Sequence, residues 1–157
     1  KPVPQQNRYR KRRDMNKITR TLEKALLEGG TLLKRAMNRP KRIRYKNKSP
    51  VSLVTEADKR VERRIIDTIR HRFPDHAILA EESRWRYDRK SSHKWIIDPI
   101  DGTTNFAHGL PCACVSIAYE EAGSLKVGGV WRFDRKEIDA WLSENDSFGL
   151  SEKTCFL

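Results

Sequence analysis

The sequence lacks any long apolar run. No segment approaches the roughly 18 consecutive apolar residues that a membrane span requires, and the first residues are polar and basic, unlike a secretory leader. We therefore expect a cytoplasmic protein with no membrane partner. Hydrophobic residues make up 37% and charged residues 34% of the 157 residues, so the chain is long enough for one domain with a buried core.

Cysteine is also scarce. The three cysteines, Cys112, Cys114 and Cys155, are an odd number, and their spacing is not that of a zinc site. We expect buried free thiols in place of a disulfide framework or a structural metal.

Acidic residues are rare in the first third of the chain. Residues 1–50 contain 17 Lys and Arg against 3 Asp and Glu, whereas residues 51–157 contain 16 against 18. The run Arg10, Lys11, Arg12 and Arg13 predicts a basic, flexible arm over residues 1–14. Such an arm is either only solvated, or it binds RNA or an acidic partner.

Apolar residues at helical spacing predict two helices. The first runs from about Met15 to Met37, and the Gly29-Gly30 pair in its middle indicates close packing against a neighbouring element. The second begins after Thr55 and is closed by Pro74. Its buried stripe is predicted to comprise Val61, Ile65, Ile69 and Phe73.

Short apolar runs bounded by turn residues predict strands. These runs lie at residues 77–79, 95–97, 112–119, 125–133 and 137–142. The Gly123-Ser124 pair is typical of a hairpin turn between two of them. Two helices followed by a strand meander indicate an α+β fold, in which both helices pack on a mostly antiparallel sheet with a metal site at the sheet edge.

The segment WIIDPIDGTTNF, residues 95–106, carries the clearest chemistry. A buried strand delivers two carboxylates, Asp98 and Asp101, and Gly102 then permits a sharp turn into a polar helix start. Two oxygen ligands beside a helix start suit Mg²⁺ that holds a phosphate. For a bare Asp-x-x-Asp-Gly spacing, an acid-rich turn with capping residues is the alternative.

The whole string closely resembles the metal-binding signature of the inositol monophosphatase family of Mg²⁺-dependent, lithium-sensitive phosphatases. The segment LVTEAD, residues 53–58, is similar to a second family segment, and AEES, residues 80–83, departs from the family's usual Gly-Glu-Glu-Ser by one alanine. The resemblance covers about residues 22–150. We therefore divide the chain into the arm, an N-terminal metal-binding lobe over 15–150 and an unmatched tail over 151–157.

The resemblance implies a role for each residue. The metal ligands would be Glu81, Asp98, Asp101 and the backbone carbonyl of Ile100. The catalytic residues would be Glu81 and Thr103, which activate a water, and Asp58, which orients Thr103. The substrate-binding residues would be Asp101, Gly102, Thr103 and Thr104. Without the resemblance, Asp58 is a helix-capping residue and Glu81 belongs to an acidic surface loop.

Two functions are therefore expected as alternatives. The first is Mg²⁺-dependent hydrolysis of a small phosphorylated polyol such as inositol monophosphate, although the family's later Trp-Asp-x-Ala-Gly segment, with a further metal-ligating aspartate, is absent from the sequence. The second is a non-catalytic protein that binds RNA or an acidic partner through its basic third. A lobe without its second half should expose an apolar sheet surface, which predicts a homodimer.

Overall fold

The computed structural model describes residues 5–37, 43–45, 53–83, 91–133 and 135–144. In chain order its elements are α1 (Gln5–Met37), β1 (Ile43–Tyr45), β2 (Leu53–Thr55), α2 (Glu56–Arg72), β3 (Ala77–Ala80), β4 (His93–Asp101), α3 (Thr103–Ala107), β5 (Cys114–Glu121), β6 (Ser124–Arg132) and α4 (Arg135–Glu144).

The main sheet has four strands in the order β3-β4-β5-β6. β3 runs parallel to β4, whereas the β4–β5 and β5–β6 pairs are antiparallel. β1 and β2 form a separate antiparallel pair. The predicted α+β fold with a mostly antiparallel sheet is confirmed, and the turn between β5 and β6 contains Gly123 as expected.

One face of the sheet is covered by α1 and α2. Three residues of the predicted stripe of α2 are buried, with Val61 1% exposed and both Ile65 and Ile69 0% exposed. The fourth, Phe73, follows the end of α2 and is half-buried against the core. Alternate residues of the central strands, including Trp95 and Ile117, join this core. Alternation follows from the two-residue repeat of a strand, so each strand contributes one face to the core.

Close packing of α1 explains its two central glycines. A Cβ on Gly30 would lie 2.1 Å from Cδ2 of Trp131 on β6, and a Cβ on Gly29 would lie 3.1 Å from Cδ1 of Ile65 on α2. The close approach at Gly30 leaves no room for a side chain. The sequence-based expectation of tight helix packing at this pair is confirmed.

The two ends of the described chain differ from expectation. α1 begins at Gln5, so most of the segment expected to be a flexible arm over residues 1–14 is helical. The strand predicted over 137–142 is wrong, because Arg135–Glu144 forms α4. Its apolar residues Ile138, Trp141 and Leu142 stand at i, i+3 and i+4, which is helical spacing. The predicted tail over 151–157 lies outside the described residues.

The sheet face opposite the helices carries several exposed apolar side chains. Leu79 is 45%, Ile96 37% and Val130 45% exposed. The expected apolar surface is therefore present, but nothing in the described residues shows what covers it, and the homodimer stays a prediction. Among the described helices, none is both long and apolar enough to cross a membrane.

Aromatic rings pack together at the start of β4, away from Asp98 and Asp101. His76 stacks between Phe73 and His93, with centroid distances of 4.6 Å to each, and its Nδ1 accepts a hydrogen bond from Trp95 Nε1 at 3.1 Å. Burial, followed by the charge of neighbouring His93, lowers the pKa of His76 from 6.5 to about 4. The folded protein therefore favours the neutral ring.

Replacing Gly30 by alanine should destabilise the fold. Alanine gains about 1 kcal/mol in helix propensity, but the clash with Trp131 should outweigh it and give a net loss of about 1–3 kcal/mol. Gly29→Ala is the matched control, because Ile65 lies farther away and can adjust. Urea unfolding of both variants measures the difference. A Gly30→Ala protein as stable as Gly29→Ala would contradict this packing.

His76 should make stability depend on pH. Because its folded pKa of about 4 lies below the ordinary 6.5, the unfolded chain binds more protons between these values. The stabilisation that the neutral His76 ring gives to the folded state is fully present above pH 6.5, and it is lost as the pH falls toward about 4. The pH dependence of the free energy of unfolding should therefore be shallower over this range in His76→Gln than in the wild type. Parallel curves for the two proteins would exclude His76 as the cause.

Candidate metal centre

The candidate site lies where β3 and β4 end. Because these strands are parallel, their carboxyl ends lie side by side, and the segment after β3 brings Glu81 toward Asp98 near the end of β4. Glu81 is exposed and Asp98 is half-buried. The prediction placed this site at the sheet edge, but β4 is an interior strand, and the site lies at strand ends instead.

A bulge in β4 shapes the backbone between the two aspartates. Asp98 pairs with Ser116 and Asp101 with Cys114, so three steps along β4 match two steps along β5. The extra residue disrupts the ladder locally. The carbonyl of Ile100 lies within this bulge and accepts a hydrogen bond from Thr103 Oγ1 at 2.8 Å. A carbonyl has two lone pairs, so this contact leaves acceptor capacity for a cation.

The bulge leads into α3 through a left-handed residue. Gly102 precedes the helix with φ 86° and ψ 35°, and a Cβ there would lie 2.7 Å from the carbonyl oxygen of Cys112. Both facts require glycine at this position. Asn105 Nδ2 donates to the same carbonyl at 2.9 Å and ties α3 to the segment before β5.

Negative charge accumulates at Asp98. Burial, followed by the charges of Glu81 and Asp101 and a hydrogen bond with Glu81, raises the pKa of Asp98 to about 7. Its Oδ1 atom is buried and has no hydrogen-bond partner among the described residues. A buried carboxylate oxygen without a partner, beside two further carboxylates, is the environment that a bound cation would stabilise. The donor set, all oxygen, suits Mg²⁺.

Asp58 and Thr103, to which the family resemblance assigns catalytic roles, are also in contact. Asp58, 1% exposed on the first turn of α2, lies with Oδ1 3.3 Å from Thr103 Oγ1. The hydroxyl has one proton and two acceptors in reach, Asp58 and the closer Ile100 carbonyl. The side chain of Thr104 is exposed and that of Thr103 half-buried. The structure thus brings Asp58, Thr103, Asp98 and Glu81 to one region.

Other predicted residues lie apart from this centre. Arg12 and Arg13 are exposed on α1, and Arg10 and Lys11 lie on the same helix, although their side chains are outside the described part of the structure. The basic run therefore belongs to a different element from the carboxylates.

Sequence reasoning missed two residues. Glu62, 3% exposed on α2, accepts hydrogen bonds from the backbone N–H groups of Glu82 and Ser83. The sequence could have indicated Glu62 by its position, because it lies one turn after Asp58 on the side of the helix that is buried. A buried acid needs a hydrogen-bond partner. Cys114 is the other, since its thiol donates to Asp101 Oδ2 at 3.6 Å. Burial, followed by Asp101, raises the pKa of this thiol.

The cysteines are less buried than expected. Cys112 is exposed and Cys114 is half-buried, and neither forms a disulfide within the described part of the chain, as predicted. Cys155 lies outside the described residues.

Comparison with known proteins identifies the family. The sequence profile described as the inositol monophosphatase family matches residues 14–142. The chain therefore belongs to the inositol monophosphatase family.

Individual relatives give the extent of the similarity. The chloroplastic phosphatase IMPL1 of Arabidopsis thaliana is 39% identical over 116 residues, which are 74% of this chain and 31% of that protein. The structure of the extragenic suppressor protein SuhB from Bartonella henselae superposes with a TM-score of 0.69 at 31% identity, covering 78% of this chain and 46% of the other.

A third relative was solved with ligands. An inositol monophosphatase/NADP phosphatase complexed with Mg²⁺ and phosphate superposes with a TM-score of 0.67 at 25% identity, covering 76% of this chain and 45% of that one. The chain thus spans between about a third and a half of the length of these relatives.

Proposed function

We propose that this chain forms the metal-binding lobe of a Mg²⁺-dependent phosphatase that hydrolyses the phosphate monoester of a small polyol, with inositol monophosphate as the first candidate substrate. The observation that carries the proposal is the buried, unpartnered Oδ1 of Asp98, with Glu81 hydrogen-bonded to the same carboxyl group and Asp101 near it, beside the Asp58–Thr103 contact. Among the described residues, no three Asp, Glu, His or Cys side chains are already grouped as metal ligands, so the donor set would be completed on binding. Membership of the inositol monophosphatase family supports the same reaction class.

The carboxylates would hold the metal. The residues that would hold it are Asp98, Glu81, Asp101 and the backbone carbonyl of Ile100, all of which offer oxygen ligands. When bound, Mg²⁺ would polarise the phosphoryl oxygens and make a water more acidic. In the family resemblance, a further metal-ligating aspartate lies in a segment that this sequence does not contain.

Thr103 and Glu81 would move the proton. Asp58 is buried and close to the Thr103 hydroxyl, so it would orient that hydroxyl toward the attacking water. Glu81, which is exposed at the same place, would accept the proton of that water. The water oxygen would form a bond to phosphorus as the bond from phosphorus to the alcohol oxygen breaks. The alcohol oxygen would take a proton from solvent and Glu81 would return its proton to solvent, giving inorganic phosphate and the free alcohol without a covalent enzyme intermediate.

The phosphate would be held beside the turn into α3. Asp101, Gly102, Thr103 and Thr104 line this turn, and the last two offer hydroxyl groups. α3 has only five residues, so its dipole contributes little. The charge of the phosphate would therefore be balanced mainly by the cations, and these residues would fix its orientation.

Replacing Asp98 by asparagine tests the proposed reaction. We expect the chain to hydrolyse inositol 1-phosphate at millimolar Mg²⁺, with inhibition by lithium, and Asp98→Asn to reduce the rate by about 100-fold or more, because a transition-state charge stabiliser is lost. Phosphate release measures both. Asp67→Asn is the matched control, since Asp67 is exposed on α2 and should leave the rate unchanged.

The outcome of this experiment is decisive in two ways. Equal rates for wild type and Asp98→Asn would show that the observed hydrolysis does not use this site. A folded wild-type chain without turnover would contradict the expectation that this chain hydrolyses inositol 1-phosphate by itself.

We propose a second function, binding of a polyanion such as RNA, on a separate observation. Among the α1 residues whose side chains are described, 12–37, seven Lys and Arg are exposed, and the helix extends through the basic run. They are Arg12, Arg13, Lys17, Arg20, Lys24, Lys34 and Arg35. Lys17 lies 3.7 Å from Asp14, but both side chains are largely exposed, so this pair neutralises the surface weakly.

Neutralising two arginines tests the polyanion surface. Arg12→Gln with Arg13→Gln should weaken binding of single-stranded RNA and reduce the slope of log affinity against log salt by about 1–2. The control is Lys126→Gln with Arg132→Gln, which removes the same charge from exposed residues of β6. Fluorescence anisotropy at several salt concentrations measures the slopes. Equal losses in the two double variants would indicate a nonspecific charge effect and exclude an α1 surface.

A further inference from the structure

Glu62 is a buried carboxylate whose hydrogen-bond partners are two backbone amides. Its side chain is on α2 and only 3% exposed, and its two oxygens accept hydrogen bonds from two consecutive backbone amides. The distance is 2.7 Å from the amide nitrogen of Glu82 to Oε2 and 2.7 Å from that of Ser83 to Oε1. Amide donors to an ionised carboxylate form short, strong hydrogen bonds. This pairing offsets the cost of burying the charge.

The amides that Glu62 holds belong to the segment that carries Glu81. The N–H of Glu81 itself donates to the carbonyl of Ile97 on β4 at 3.3 Å. The next two amides donate to Glu62 instead of continuing along the strand. The backbone at Glu81 is therefore fixed from two sides, by β4 before its side chain and by α2 after it.

The same helix also fixes the other half of the site. Asp58 stands four residues before Glu62, and residues four apart lie on one face of a helix. Asp58 contacts Thr103, which follows β4, whereas Glu62 contacts the segment that follows β3. One helical turn of α2 thus connects the two chain segments that carry the proposed proton-transfer groups.

We infer that Glu62 is a positioning residue: it holds the backbone after β3 so that the Glu81 carboxylate is directed at the cation site beside Asp98. The inference rests on the proposed function for the identity of that site. A carboxylate that supports a metal ligand through its backbone should behave as other outer partners of metal ligands do, whose removal costs about 10–100-fold in metal affinity or activity.

A purely structural role would give a different result. If Glu62 only contributes to stability, its loss should lower the free energy of unfolding and leave the affinity for a divalent cation unchanged. The two roles therefore separate when affinity is measured on variants that have lost similar amounts of stability.

Glu62→Gln is the informative variant. Glutamine keeps the shape of the side chain but has one acceptor oxygen and no charge, so it cannot accept both amides equally. Ile65→Val is the matched control on the next turn of α2, where a fully buried side chain loses one methyl group and with it some stability. Glu28→Gln is a second control, because Glu28 joins α1 to Arg64 and Thr68 far from the site.

Two measurements report on each variant without relying on turnover. Mn²⁺ binding followed by electron paramagnetic resonance gives the cation affinity, and ¹⁵N–¹H spectra give the amide shifts of Glu82 and Ser83. We expect Glu62→Gln to move both amide signals and to weaken Mn²⁺ binding by about 10-fold or more. Both controls should keep the wild-type affinity.

The outcomes distinguish this inference from the proposed function. Moved amide signals with an Mn²⁺ affinity equal to that of Ile65→Val would overturn the positioning role and leave the phosphatase proposal intact. Mn²⁺ binding that depends on Glu62, in a chain that hydrolyses no phosphate ester, would support the positioning role and overturn only the hydrolytic function. A wild-type chain that binds no Mn²⁺ would overturn both.

Discussion

One face of α2 is buried between α1 and the main sheet, and this packing fixes where the helix carries its two buried acids, Asp58 and Glu62. Ile65 and Ile69 on this face are 0% exposed between α1 and the sheet, so the helix has little freedom to shift. Because an α-helix is rigid over one turn, about 6 Å for four residues, the carboxylates of Asp58 and Glu62 have a fixed separation. Apolar packing in the core therefore sets the positions of polar groups at its margin.

When no cation is bound, the carboxylates at the strand ends repel one another and lower the stability of the folded protein. Burial and neighbouring acids raise the pKa of Asp98 to about 7, so its ionised form is disfavoured relative to an exposed aspartate. Interactions of this kind are rarely kept for folding alone. The packing of α1 and α2 against the sheet stabilises the fold enough to offset this local cost. A bound cation would remove the cost by balancing the negative charge of the carboxylates.

The sequence predicted those elements whose repeat is regular. The stripe of α2 is set by periodicity, and Val61, Ile65 and Ile69 were placed correctly. The strands β4 and β5 were indicated by short apolar runs, and the structure has both with longer or shifted bounds. The segment 137–142 is short, and its apolar residues fit a strand or a helix, so the strand prediction was wrong. The Asp58–Thr103 contact joins residues 45 positions apart, and only the family resemblance indicated it. Glu62 was missed because an acid followed by two arginines looks like a solvated helix face, and its partners are backbone amides that carry no sequence signal.

The bulge in β4 has a consequence for how this protein can vary. Side chains alternate between the two faces of a strand, so adding or removing one residue between Asp98 and Asp101 would turn everything beyond it to the opposite face. Pro99 and Ile100 are both buried within this interval. An inserted or deleted residue could therefore not be accommodated there without displacing packed side chains. Loops elsewhere can lengthen at little cost. In contrast, the interval between the two aspartates should keep a fixed length, because the number of residues in it determines which way Asp101 faces relative to Asp98.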